Sequence, residues 1–261
     1  MLFAERHGKL GRDGSLAHDR AEDLLTSTAF QLLRYLPLEV GLLAVLRRVR
    51  AVRSDGQVTT AMPAWLKLGG VTGAEYHPWP RWGKHGSPDI VIELFAETGP
   101  VGRFVIEVKL DAGKSGEASE EAGEEAPDLA SADQLHKYWQ GLRVSAGGRA
   151  LGVVYLTSHA TPPKDELAAS VAREPGDWLG WLSWRDVWAA LRTSGLLPAR
   201  DLVEILAAKG LKGFDGFHSR PWAPPDQPWH CWSAPPARWF AQPVPTFPPV
   251  TRFWQPQGET P

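Results

Sequence analysis

The sequence predicts an α/β fold, a mixed central sheet flanked by helices, with an extended Pro/Trp-rich tail after it. Three observations carry this expectation. Two runs with helical periodicity stand before any strand signal, the strand-like runs DIVIELF and RFVIEVKL are joined by the turn-forming ETGPVG, and strands then alternate with single helices up to residue 218.

The elements follow in order. From Asp19 to Leu36 apolar residues recur at helical spacing, and a second helix is expected over VGLLAVLRRVRAV. Residues 58–95 carry Gly and Pro punctuation around short apolar runs, so a strand, an irregular loop containing GKHGSP and the strand DIVIELF are expected there. DIVIELF and RFVIEVKL then form an antiparallel hairpin. Residues 111–131 contain no aromatic or β-branched residue and read as a disordered acidic insert. A helix over ADQLHKYWQGLR, a strand over ALGVVYLT, a helix from PPKDEL, the strand-like WLGWLSW and helices over RDVWAALRTS and ARDLVEILAAKG complete a domain spanning 1–218. The region 219–261 is set apart because residues 221–261 hold twelve of the 23 prolines and the tryptophans 222, 229, 232, 239 and 254, a composition suited to an extended segment.

Composition removes several classes. With 261 residues, 43% hydrophobic and 22% charged, the chain is an ordinary globular protein of one main core. A single cysteine, Cys231, excludes an internal disulfide scaffold and a CxxC zinc site. The N-terminal segment lacks the apolar stretch of a secretory signal, and Leu36–Leu46 is too short to cross a bilayer, so a cytoplasmic protein without membrane contact is expected. Formal net charge is −2, but setting aside the seven acidic residues between Glu117 and Asp133 leaves a body of +5, compatible with a polyanionic partner.

Chemistry concentrates in the hairpin. Alternation along a strand puts Val105, Glu107 and Lys109 on one face, and Phe104, Ile106, Val108 and Leu110 on the other. Asp89 opens the preceding strand. A turn centred near Gly99 would pair Asp89 with Lys109 and Val91 with Glu107, gathering two carboxylates and an ammonium. Such a group suits hydrolysis of a phosphodiester assisted by Mg²⁺, a hard cation that takes oxygen ligands. The plainer alternative is a solvated strand face with Asp89 as a loop cap. Glu22 lies on the apolar stripe of Leu25, Ala29, Leu33 and Leu36 and needs a partner there, unless it completes a capping box with Asp19. Gln134 and Tyr138 share a helix face directly after the insert, although Gln134 could also close a capping box with Ser131. In GKHGSPD, Lys84, His85 and Ser87 lead into Asp89 and could meet a phosphate. The other histidines show no metal-ligand spacing. Trp178, Trp181, Trp184 and Trp188 fall in regular elements and read as core.

Pro88-Asp89, then Glu107-Val108-Lys109, then Gln134-Leu135-His136-Lys137-Tyr138, in this order and with hairpin spacing, resembles the PD-(D/E)XK nuclease superfamily. The resemblance covers residues 19 to about 160 with motifs and implies a restriction-endonuclease-like αβββαβ core. It further implies Mg²⁺ or Mn²⁺ held by Asp89, Glu107 and the Val108 carbonyl, with Lys109 on the attacking water, Gln134 supporting the scissile phosphate and Glu22 as an extra acidic ligand. The insert and the tail depart from the family pattern. The function so implied is metal-dependent nuclease activity on DNA, with RNA left open, in a prokaryotic restriction or antiviral system. A homodimer or a partner protein would supply specificity. A catalytically inactive nuclease-fold module, serving as a nucleic-acid-binding or scaffold subunit, is the alternative.

Overall fold

The computed structural model describes residues 18–110 and 128–213. The insert at 111–127 and the Pro/Trp-rich tail, with Cys231, lie outside the described residues. The elements are α1 (His18–Arg34), α2 (Leu42–Leu46), β1 (Arg50–Ala51), β2 (Val71–Pro78), β3 (Ile90–Ala96), β4 (Gly99–Lys109), α3 (Asp128–Ala146), β5 (Ala150–Thr157), α4 (Lys164–Arg173), β6 (Leu179–Ser183), α5 (Trp184–Leu191) and α6 (Leu197–Ala208). The strands form one six-stranded sheet in the order β1-β6-β5-β4-β3-β2. The β2–β3, β3–β4 and β1–β6 pairs are antiparallel, whereas β4–β5 and β5–β6 are parallel. The sheet is therefore mixed, as expected.

Two apolar layers sandwich it. Ile90, Ile92, Leu94, Phe104, Ile106 and Val108 pack with α1, α2, α5 and α6, so the even-numbered face of the hairpin joins the larger core. On the opposite face Val91 and Val105 pack with Leu135, Tyr138, Leu142 and Ala146 of α3 and Leu167 and Val171 of α4. Strand alternation alone dictates this division, since side chains two residues apart share a face. The four tryptophans expected in the core are all buried. Ser183 caps α5 in a reciprocal box with Asp186.

Three expectations are corrected. The helix expected over Val40–Val52 is one short turn, Leu42–Leu46, and the chain then pairs with the edge of β6. Tertiary contacts outweigh helix propensity there. Val49 and Val52 are buried, and Arg50 binds Asp186 at 2.5 Å with its guanidinium 4.3 Å from the Trp181 ring centre. Helix α3 begins at Asp128, inside the stretch assigned to the insert, so Gln134 lies in the helix body and not three residues after a cap. The hairpin register also differs. Ile90 faces Ile106 and Val91 faces Val105, two residues from the expected pairing, because Glu97 and Thr98 make the turn and the register shifts between Leu94 and Phe95, leaving Val101 without a partner. A slip of two preserves every face.

Candidate metal-binding acidic site

The site forms where β3 starts and β4 ends. Asp89 immediately precedes β3, and its Oδ2 accepts the Val108 N–H at 2.8 Å while Oδ1 accepts the Trp79 indole N–H at 3.2 Å. The Val108 carbonyl points to the same side of β4 as its N–H, whereas the Lys109 carbonyl points to the other side and accepts Ser158 N–H at 3.1 Å. Asp89 Oδ2 and the Val108 carbonyl thus lie along the same edge of β4.

Glu107 is 2% exposed. Its Oε1 lies 3.2 Å from Lys109 Nζ, and its Oε2 is buried without an N–H or O–H donor among the described residues, so that only a shared proton can join it to Asp89. From α1, Glu22 reaches across the end of β4, its Oε2 accepting the Leu110 N–H at 2.7 Å and its Oε1 lying 3.6 Å from Lys109 Nζ. This contact occupies the carboxylate that the capping-box reading reserved for the start of α1. Tyr138 OH accepts from Gln134 Nε2 at 2.8 Å and donates to the Ser87 carbonyl at 3.2 Å. Gln134, Tyr138 and Ser87 are thereby linked as a chain along the loop.

That loop is held closely against α3. Gly86 takes φ +83°, and a Cβ there would meet Tyr138 Cε1 at 3.3 Å. A Cβ on Gly141 would lie 2.6 Å from Trp82 Cε3 and 2.9 Å from His85 Cβ, so the small residue permits the approach. Lys84 is exposed and His85 partly so on a 3-10 turn, Gly83–His85. Neither contributes a hydrogen bond or ion pair to the carboxylates among the described residues.

The electrostatics are lopsided. Burial pushes the Glu107 carboxyl well above the usual carboxylate range, and the neighbouring Asp89 charge pushes it further. Asp89 is raised by burial against the pull of the Val108 N–H and Lys109. Glu22 is raised by burial, again opposed by Lys109. For Lys109 burial works against the ammonium, but Glu107, Glu22 and Asp89 outweigh it and hold the proton on. Burial, then Glu107, raises Tyr138, and burial with a hydrogen bond to Glu166 raises Tyr155, which sits beside Glu107 on β5.

Glu22 and Glu107 thus share the Lys109 ammonium, and Asp89 adds a third carboxyl group beside Glu107. Such a group takes up protons or binds a cation, and its donors are of the kind a hard divalent ion takes: the neighbouring carboxyl groups of Asp89 and Glu107, beside the backbone of Val108. A second polar group occupies the same face further along β2–β4. The ligand atoms of Glu75, His77 and Glu93 lie within 4.8 Å of one another, a grouping that histidine spacing in the sequence did not reveal. Glu93, however, is bound by Arg103 at 2.7 Å and Arg149 at 3.3 Å, which hold its carboxyl below the usual range. Sequence reasoning also missed Trp79 and Tyr155. Their neighbours become visible only once the strand register is known.

No described helix is long and apolar enough to cross a membrane. No family model matches the sequence, and neither the curated proteins nor the solved structures contain a match to it.

Proposed function

We propose that this chain is a metal-dependent nuclease with a restriction-endonuclease-like αβββαβ core, hydrolysing phosphodiester bonds in DNA as part of a prokaryotic restriction or antiviral system. The observation that carries the reading is the surplus of carboxyl groups around one lysine, with Glu107 buried beside Asp89. A bound Mg²⁺ or Mn²⁺ would supply charge for the phosphate oxygens and a more acidic water. Asp89, Glu107 and the Val108 carbonyl are the groups to hold it. Lys109, kept as an ammonium by its three acidic neighbours, orients the attacking water and offsets charge on the phosphate.

Gln134 positions the phosphate on the far side, its amide braced by Tyr138, while Lys84 and His85 on the neighbouring turn meet the nucleic-acid backbone. A second copy of the chain or a partner protein supplies specificity. The test is Mg²⁺-dependent cleavage of labelled DNA and RNA by the whole protein. Asp89→Ala, Glu107→Ala and Lys109→Ala are each expected to lower the rate by at least about a hundredfold without unfolding the protein. Full activity in all three would overturn the assignment, and faster cleavage of RNA would change the substrate.

A further inference from the structure

Beside the Val108 N–H, the Asp89 carboxylate is held by a hydrogen bond from Trp79. Among the described residues it is the one non-glycine residue with positive φ, at 45°. That conformation is unfavourable for an L-amino acid with a bulky side chain and persists only where the surroundings enforce it. Two contacts do so here, both to the same residue. The Trp79 backbone N–H donates to the Asp89 carbonyl at 2.8 Å, and its indole N–H donates to Asp89 Oδ1 at 3.2 Å. The ring is 6% exposed and packs in the larger core, so it has little freedom to turn away.

We infer that Trp79 is a positioning residue for the metal site. Its left-handed backbone brings the chain back over β3 and aims the indole N–H at Asp89, and with the Val108 N–H on Oδ2 it fixes the carboxylate plane. The oxygen lone pairs that remain then face the space bordered by Glu107. Donors of this kind behind a ligating group commonly carry ten- to a hundredfold in metal affinity. The inference rests on the metal-site reading above and adds to it a residue with no ionisable group, outside every motif in the sequence.

The experiment is calorimetric titration of the full chain with Mn²⁺ at fixed pH. It compares wild type, Asp89→Asn, Trp79→Phe and protein carrying 3-benzothienylalanine at position 79, in which sulfur replaces the indole N–H without changing ring shape. Glu39→Gln, which breaks an exposed pair with Arg47, serves as a charge-removing variant away from the site. Wild type is expected to bind and Asp89→Asn to bind at least a hundredfold more weakly. Both position-79 variants are expected to bind about tenfold more weakly, with Glu39→Gln unchanged in affinity. Should Trp79→Phe fail to fold, the isosteric protein decides alone. Wild-type affinity in the benzothienyl protein, with Asp89→Asn impaired, overturns the role of Trp79 and leaves the metal site standing. Absence of Mn²⁺ binding by wild type overturns both.

Discussion

Two buried glutamates occupy the same face of the same hairpin, yet their surroundings are opposite. Glu93 is 6% exposed and Glu107 is 2% exposed. Arg103 and Arg149 converge on Glu93 and leave it with both oxygens bound, so its charge is already compensated within the fold. Glu107 has one lysine, shared with Glu22, and a second acid beside it. Burial of a carboxylate is therefore not by itself a sign of function. What distinguishes the two is the balance of charge around each: two arginines offset Glu93, whereas among the described residues acids outnumber bases around Glu107.

The largest expected effect tests that contrast directly. Glu93→Gln should cost about 2 kcal/mol of stability, less than a fully buried pair because the arginine side chains are 30% and 43% exposed. Glu107→Gln removes a charge that burial disfavours, so the metal-free protein should melt at or above the wild-type temperature while Mn²⁺ binding is lost. Equal destabilisation by both substitutions, measured by denaturant titration, would erase the distinction.

The two carboxyls should also give opposite pH slopes. With its folded value raised, Glu107 contributes stability fully at pH below about 4, and that contribution disappears as pH rises through the raised value. With its folded value lowered, Glu93 contributes above about pH 4 and loses it as pH falls through its folded value. As pH rises above about 4 toward the raised value, the metal-free wild type should lose stability at up to about 1.4 kcal/mol per pH unit for each extra proton held, and Glu107→Gln should flatten that slope. Thermal melts across this range, with and without Mn²⁺, provide the measurement.

The smallest effect concerns the loop. Tyr138→Phe keeps the ring against Gly86 but removes the hydroxyl that joins Gln134 to the Ser87 carbonyl, a change of about 1 kcal/mol. Cleavage should fall several-fold with Mn²⁺ affinity unchanged, which would place Tyr138 on the substrate side. A matching loss of metal affinity would move it to the metal side.

Much of this arrangement is legible in the sequence because it depends on periodicity. Alternation in FVIEVKL places Glu107 and Lys109 together whatever the partner strand does, and the stripe of Leu25, Ala29 and Leu33 sends Glu22 toward the end of β4. Where long-range contacts decide, the sequence is silent. Arg50 joins a strand because Asp186 and Trp181 receive it, 131 or more residues away, and no local pattern announces that. Glu93 reads as the equal of Glu107 until Arg149, 56 residues on, is seen to bind it. Trp79 is invisible for the same reason, since nothing local requires a tryptophan to adopt φ 45°.

The irregularity at Val101 has a consequence of parity. Ala96 faces Gly99, so an uninterrupted ladder from that turn would set Asp89 across from Ile106 and turn Glu107 toward the opposite side. The single unpaired residue converts an odd offset into an even one, and thereby brings both acids to a common side. Deleting Val101 would spare the strands their hydrogen bonds yet separate the two carboxyls by the thickness of the sheet, so one residue near the turn, far along the strands from the acids, determines whether they can ever meet.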